Sequence, residues 1–374
     1  MEMQKIYLDY NASTPIALEA VDAMKPFLSE HFGNPSSHHW AGEPAKEAVE
    51  QARRQVADLL QCKPNEVVFT SGGSESNNHA IKGVFYALKE KGNHIITTQI
   101  EHPAVINPCR FLERCGAEVT YVGVDQSGRV DPEDIKKAVT PQTILITVMH
   151  ANNEVGTIQP VEEISKIAKH HGILFHTDAA QSVEKVKTTV DDLGVDLLSI
   201  AGHKLYAPKG VGALYIREGT PIESLIHGAG HESGRRAGTE NVLLIAGLGK
   251  ACEIAKKYLG DNKIRDLRDR FWEMLQKNFG NEIVLNGHPI HRLPNTLNVN
   301  FVGRVGSEIL ARLDGVAAST GAACHSGSIE LSPVLKAMGI PPEVGMGAIR
   351  FSFGRTTTID EIETVIKSLK ENLK

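Results

Sequence analysis

The chain has 374 residues, of which 41% are hydrophobic and 23% are charged, and its formal net charge is -5. These values are ordinary for a soluble globular protein, and they predict no general affinity for nucleic acid or for an anionic membrane surface. No stretch approaches the ~18 consecutive apolar residues that a membrane span needs. The first residues lack the basic region followed by an apolar region that is typical of a signal peptide. We therefore expect a cytoplasmic protein with about two domains.

Short apolar runs alternate with helical patterns between Glu66 and Arg217. Alternation of this kind predicts an α/β domain with a mostly parallel sheet flanked by helices. Seven runs have the composition of buried strands and predict a seven-stranded sheet: EVVFT, HIITTQI, EVTYVGV, TILITVM, ILFHT, DLLSI and GALYI.

The second part of the chain begins with a glycine-rich stretch, HGAGHESGRRAGTEN, at residues 227–241. A long helical pattern follows to about Phe279, and the remaining residues predict a smaller α+β unit. Its expected strands are TLNVNFV, GVAAST and AIRFSF, and its last helix is expected from Ile359. We expect a large domain over residues 15–260 and a small α+β domain built from residues 1–14 and 261–374.

Polar loops follow five of the predicted strands at the point where each strand ends. In open α/β sheets, ligands bind beyond the carboxyl ends of the strands. We therefore expect these loops to converge on one pocket: SGGSESNN, EHP, HANNE, DAAQS and AGHK.

The residues in these loops have the chemistry that pyridoxal 5'-phosphate requires. Gly73 and Ser74 begin a predicted helix, whose free N–H groups can bind a phosphate, although the sequence fits neither GxxxxGK[ST] nor GxGxxG. Asp178 can keep a pyridine nitrogen protonated, and His102 offers an aromatic platform. A lysine amine with a lowered pKa, here Lys204, can form a Schiff base.

A series of motifs resembles the cysteine desulfurase family, the class V branch of fold-type I pyridoxal phosphate enzymes, nearly from end to end. The resemblance implies the fold of that family: a large domain with a mostly parallel seven-stranded sheet and a smaller α+β domain. The matching motifs are LDYNASTP, FGNPSSHH, TSGGSESNN, EHPAV, NNEVG, HTDAAQS, GHKLYAPKG, GRRAGTEN, LPNTLNV, GAACHSGS and IRFSFGR.

The resemblance assigns roles around the cofactor ring. Lys204 resembles the Schiff-base lysine, Asp178 the partner of the pyridine nitrogen, and Gln181 the residue that hydrogen-bonds the O3′ oxygen. His102 resembles the residue that stacks on the ring, and Asn153 a residue that contacts both cofactor and substrate.

The resemblance also assigns the phosphate and substrate sites. Gly73, Ser74 and His203 match phosphate ligands, and Thr239 matches the phosphate ligand that the other subunit of a homodimer donates. Arg350 matches the arginine that binds the substrate carboxylate, a task that suits its planar fork.

Cys324 resembles the nucleophile of this family that forms a persulfide. It lies in ASTGAACHSGSIELSP, a segment rich in small residues that predicts a mobile loop. The chain contains no CxxC, so a zinc or thioredoxin-type site is not indicated and we expect no metal. We expect the other cysteines to be packed or merely exposed thiols: Cys62, Cys109, Cys115 and Cys252.

The implied reaction removes sulfur from L-cysteine, gives L-alanine and leaves a persulfide on Cys324. The persulfide would then pass to an acceptor, an iron–sulfur scaffold or a sulfur carrier. A resting thiol is mostly protonated at neutral pH, so a base must take its proton. His102 and His325 are both candidates.

A selenocysteine lyase is the alternative within the same fold. His325 directly after Cys324, and Ala201 where many relatives have serine, both resemble that family's pattern. The missing hydroxyl at position 201 also predicts looser cofactor binding, since one hydrogen bond to an anion contributes ~1.5–3 kcal/mol. An ordinary aminotransferase would have no use for Cys324, and a non-catalytic partner protein would be expected to have lost Lys204 or Arg350.

Overall fold

The structure is a computed structural model that describes residues 5–320, 322–325 and 328–373, and describes no side chain between residues 321 and 329. The strands are β1 (Ile6–Tyr7), β2 (Val67–Thr70), β3 (His94–Thr98), β4 (Glu118–Val122), β5 (Thr143–Thr147), β6 (Leu174–Asp178), β7 (Leu197–Ala201), β8 (Gly212–Ile216), β9 (Ile283–Asn286), β10 (Thr296–Phe301), β11 (Val316–Ala317), β12 (Ser319–Thr320), β13 (Ala322–His325), β14 (Ser328–Leu331) and β15 (Ala348–Ser352).

The α-helices are α1 (Leu18–Met24), α2 (Pro26–Ser29), α3 (Glu43–Leu60), α4 (Gly73–Leu88), α5 (Pro103–Glu113), α6 (Pro132–Ala138), α7 (Val161–His171), α8 (Val190–Leu193), α9 (Val242–Ala255), α10 (Lys263–Phe279), α11 (Gly306–Ala311), α12 (Pro333–Ala337), α13 (Pro342–Gly345) and α14 (Ile359–Leu373). Within the described ranges, none of these helices combines the length and the apolar character needed to cross a bilayer.

The large sheet has seven strands in the order β2-β8-β7-β6-β5-β3-β4. Its pairs are parallel except those of β8, which runs antiparallel to both of its neighbours. Each of the seven predicted apolar runs contains one of these strands, so the prediction of a mostly parallel seven-stranded sheet is confirmed. The inner strands are buried along their whole length because helices cover both faces, as is usual for parallel sheets.

Alternate residues of the strands point into two separate cores. Ile96 and Ile146 pack with the helices α3, α7 and α9 on one face of the sheet. Ile95 and Leu145, their immediate neighbours, pack with α4 and α5 on the other face. This two-residue period fixes the register of the sheet, since a slip of one residue would exchange the two faces.

A second, antiparallel sheet lies in the C-terminal part of the chain, with the strand order β12-β15-β10-β9. Its core packs against α10 and α14 through residues such as Phe271 and Val365. The N-terminal Ile6 and Leu8 belong to the same core, and β1 pairs with β11. This packing agrees with a small unit that includes the N-terminus, and the domain limits at residues 15 and 261 stay a prediction.

Two sequence predictions for the C-terminal part differ from the structure. The helical pattern from Asn241 to Phe279 forms two helices, α9 and α10, because Gly260 between them adopts a left-handed φ of 84°. The segment predicted as a loop contains β13 and β14, which pair antiparallel with Cys324 opposite Ile329. Short runs of Ala, Ser and Cys lack the apolar alternation that indicates a strand.

Gly212, at the start of β8, lets two backbone segments approach closely. A Cβ at this position would lie 2.4 Å from the carbonyl oxygen of Ile200 and 2.7 Å from the Cα of Gly72. Both contacts are with backbone atoms, which cannot rotate away. Gly72 is the residue before the first turn of α4, so Gly212 keeps the start of that helix against the sheet.

We expect Gly212→Ala to lower the free energy of unfolding by about 1–3 kcal/mol, the usual cost of overpacking. The matched control is Gly123→Ala, because a Cβ at Gly123 meets no atom within 4 Å. Thermal unfolding of the two variants beside wild type measures the difference. Equal stability of both variants would show that the close approach at Gly212 is not needed.

Candidate active site

A cavity of about 520 Å³ opens at the carboxyl ends of the parallel strands. It gathers residues that follow β2, β3, β5, β6 and β7, as the positions of the polar loops predict. Nine of the sequence-predicted site residues line it: Gly73, Ser74, His102, Asn153, Asp178, Gln181, His203, Lys204 and Arg350.

Lys204 follows β7 on a short 3-10 turn and points its amine at the N-terminal segment. The Nζ donates to the carbonyl oxygens of Asn11 at 2.6 Å and Ala12 at 2.8 Å. Burial, reinforced by the positive charge of Arg350, lowers the pKa of Lys204 to about 8. The uncharged fraction of this amine is therefore much larger than that of an ordinary lysine, and it reaches about half near pH 8.

Asp178 is the last residue of β6 and is almost completely buried. Its carboxylate accepts a hydrogen bond from Asn77 Nδ2 at 2.7 Å and another from the N–H of Ala180 at 2.9 Å. These donors hold the side chain at the wall of the cavity. A buried carboxylate in this position can face a protonated ring nitrogen.

The first turn of α4 is a candidate anion site at another wall of the cavity. Gly72, with a φ of 147°, precedes the helix, and in the described part of the chain no acceptor is bonded to the N–H groups of Gly73 or Ser74. Free N–H groups and the positive end of the helix dipole favour an anion at this place. Ala201 lies beside Gly73, and a hydroxyl there would add a donor.

His203 and His102 border the cavity as uncharged rings. Burial and the charges of Lys204 and Lys209 lower the pKa of His203 to about 4. Burial also lowers the pKa of His102, whose Nδ1 accepts a hydrogen bond from the N–H of Ala104. In the neutral tautomer that this bond selects, the hydrogen of His102 is on Nε2.

Arg350, on β15, brings a positive charge from the second sheet into the cavity. Its Nη2 donates to Asp9 Oδ1 at 2.7 Å and to Ser319 Oγ at 3.1 Å, and its Nη1 donates to the carbonyl oxygen of Asn153 at 2.9 Å. The Nε is buried and has no hydrogen-bond partner in the described part of the structure. This guanidinium is therefore held in place with donor capacity left for a carboxylate.

One described site residue that the sequence predicts, Thr239, is not among those that line the cavity. Thr239 is exposed and borders a neighbouring cavity, which shares Ser71 and Gly210 with the main one. Its predicted role, as a ligand donated by another subunit, stays a prediction. The side chains of Cys324 and His325 lie outside the described residues.

The remaining cysteines are free thiols away from the cavity. Burial raises the pKa of Cys62 and of Cys109 to about 12, and it also raises that of the fully buried Cys252. Such thiols are poor nucleophiles at neutral pH. Cys115 is exposed on the surface. Among the described residues, no group of three or more His, Cys, Asp and Glu side chains is placed to hold a metal ion.

The structure adds functional residues to which sequence reasoning assigned no role. Asn11 supplies a carbonyl oxygen to Lys204, Asp9 holds Arg350, and Asn77 holds Asp178. All three lie in motifs that carry the family resemblance, LDYNASTP and TSGGSESNN. Their position in these motifs could have marked them as candidates, but the motifs alone do not show which atoms form hydrogen bonds with each other.

The sequence of this chain is similar to those of known proteins. The model of the aminotransferase class-V family matches residues 6–365. Cysteine desulfurase IscS of Dictyoglomus turgidum is 51% identical, with 98% of this chain and 96% of that protein covered. Cysteine desulfurase IscS of Methanosarcina thermophila is 48% identical, with coverages of 99% and 92%.

Solved structures are similar over the same length. One described as a NifS-like protein superposes with a TM-score of 0.93 at 38% identity, and 99% of each chain is covered. Another, SspA in complex with cysteine, superposes with a TM-score of 0.84 at 40% identity, with 93% of this chain and 98% of that chain covered. The chain therefore belongs to the cysteine desulfurase branch of the class-V aminotransferase family.

Proposed function

We propose that this protein is a cysteine desulfurase that uses pyridoxal 5'-phosphate to convert L-cysteine into L-alanine and a persulfide on Cys324. The observation that supports this most directly is the single cavity that holds an amine of lowered pKa, a buried carboxylate, an anion site and a guanidinium. The relatives named cysteine desulfurase, and the relative solved in complex with cysteine, support the same substrate.

The residues present fit pyridoxal phosphate on the evidence of their own chemistry. The unbonded N–H groups of Gly73 and Ser74, with the ring of His203, would hold the phosphate. Asp178 would pair with the ring nitrogen, His102 would stack on the ring, and Lys204 would hold the aldehyde carbon. When bound, the cofactor supplies an electron sink conjugated with the α-carbon of the substrate.

The protein's own residues would then bind the substrate and move its proton. Arg350 would hold the α-carboxylate of L-cysteine, and Asn153 would contact the substrate beside it, so that the α-carbon takes a fixed orientation. The amine of Lys204 would take the proton from the α-carbon of the substrate at Nζ. Its lowered pKa suits this work, since a general base is most effective when its pKa lies near the operating pH.

The sulfur transfer balances without an external oxidant. The Cβ–S bond of L-cysteine breaks, an S–S bond forms at the Sγ of Cys324, and the hydrogens of the two thiols are divided between the persulfide and L-alanine. His102 and His325 remain the two candidates to deprotonate Cys324. In the tautomer selected by the hydrogen bond from Ala104, Nε2 of His102 carries the ring hydrogen. This atom therefore donates a hydrogen bond and does not accept a proton in that tautomer.

The proposal also includes partners that complete the cycle. A homodimer would place Thr239 of the partner subunit at the phosphate site, and several large apolar side chains between residues 16 and 40 are strongly exposed, as an interface requires: Leu18, Leu28, Phe32 and Trp40. The persulfide would pass to an iron–sulfur scaffold or a sulfur carrier. We place the protein in the cytoplasm.

We expect Lys204→Ala to lose the yellow chromophore and the cofactor that borohydride fixes to the chain. The control is Lys209→Ala, which removes another lysine of the same cavity and should keep both signals. In wild type freed of cofactor, the rate of pyridoxal phosphate uptake should rise with pH through about 8, because only the uncharged amine attacks the aldehyde. A borohydride-fixed cofactor in Lys204→Ala would disprove the assignment.

We expect Cys324→Ala to bind pyridoxal phosphate normally but to release sulfide and alanine from L-cysteine roughly 100-fold or more slowly. Cys115→Ala, which removes an exposed thiol, is the matched control and should retain wild-type turnover. Both variants are assayed with L-cysteine and with L-selenocysteine. Strong preference for L-selenocysteine that survives in Cys324→Ala would identify a selenocysteine lyase instead.

A further inference from the structure

Lys185 is a third lysine close to the cavity, beside Lys204 and Lys209, and the reaction proposed above gives it no role. It lies in the turn that follows β6, four residues after Gln181, and is partly buried. Its Nζ donates a hydrogen bond of 3.0 Å to Oε1 of Gln181. Gln181 is itself buried and lines the cavity.

The amide of Gln181 has a second partner at its other end. Its Nε2 donates to the carbonyl oxygen of Asn11 at 2.9 Å. A lysine ammonium can only donate hydrogen bonds, whereas a backbone carbonyl can only accept them. If the amide turned by 180°, its NH₂ group would face the ammonium and its oxygen would face the carbonyl. The two partners therefore specify one orientation of an otherwise nearly symmetric group.

This orientation leaves a donor for a ligand. The Nε2 of Gln181 carries two hydrogens, and the carbonyl oxygen of Asn11 accepts one of them. We propose that Lys185 is a positioning residue that turns the Gln181 amide so that an N–H, and not the carbonyl oxygen, faces the ring O3′ oxygen of pyridoxal phosphate. The proposal rests on the cofactor assignment made above and extends it to a residue outside the cavity lining.

The charges around Lys185 are compatible with this role. Burial lowers the pKa of Lys185 to about 7. The carboxylate of Glu184 raises this pKa, whereas the positive charges of Lys204 and Arg350 lower it. That carboxylate is engaged by Arg355 at 2.6 Å. Loss of the lysine charge leaves N–H groups on the amine, so the donor to Oε1 of Gln181 is retained in both forms.

The test is a double-mutant cycle read on the bound cofactor. Visible absorbance of the purified holoprotein is titrated with pH for wild type, Lys185→Met, Gln181→Leu and the double variant. A hydrogen bond to the ring oxygen stabilises the deprotonated chromophore, so each single variant should raise the titration midpoint by roughly half to one pH unit. The double variant should show no further shift, because Lys185 acts through Gln181.

Two further variants serve as controls for the cycle. Lys185→Arg keeps both the N–H donors and the positive charge, and it should return the midpoint most of the way to the wild-type value. Lys187→Met removes a lysine two residues away, whose side chain is 71% exposed and pairs with Asp192, and should leave the midpoint unchanged.

Additive shifts would overturn the inference, because they would mean that Lys185 acts on the cofactor through its charge alone. An unshifted midpoint in Lys185→Met would overturn it as well. If wild type bound no pyridoxal phosphate, the proposed function would fail, and the same cycle would be read on thermal unfolding of the cofactor-free chain. Absence of coupling between Lys185 and Gln181 there would overturn the inference independently.

Discussion

The hydrogen bonds from the Lys204 amine to the carbonyl oxygens of Asn11 and Ala12 join the end of the large sheet to the N-terminal segment. A buried amine is costly unless it has polar partners, and here the partners come from the N-terminal segment. Asn11 is tied in turn to the second sheet, where its side chain bonds Thr296 and Asn295. The position of the reactive amine thus depends on the packing of both sheets.

The direction of the strands explains why the other groups of the site meet at the same place. Parallel strands present their carboxyl ends at one edge, so the residues that follow them are brought together without long loops. The second sheet then adds Arg350 from the opposite side, with its guanidinium already fixed by Asp9 and Ser319. The large sheet therefore supplies the residues suited to the cofactor, and the second sheet supplies a group suited to a carboxylate substrate.

Local patterns were sufficient to predict the strands of the large sheet and the loops that line most of the cavity. The inner strands of the large sheet are buried along their whole length, and the polar residues that follow five of the seven strands lie at one edge of the sheet. The partners of these residues could not be predicted, because Asn11 and Lys204 are 193 positions apart and Asp9 and Arg350 are 341 apart. Such contacts depend on the packing of the two sheets, which leaves no periodic signal in the sequence.

Transfer of the substrate sulfur to Cys324 is the central step of the proposed function, and mass spectrometry tests it directly. The holoprotein is mixed with L-cysteine, alkylated, digested and analysed peptide by peptide, with Lys204→Ala treated in parallel. We expect one additional sulfur atom on the peptide that contains Cys324, and none in Lys204→Ala. Formation of alanine with no extra sulfur on Cys324, or with the sulfur on Cys115 instead, would contradict it.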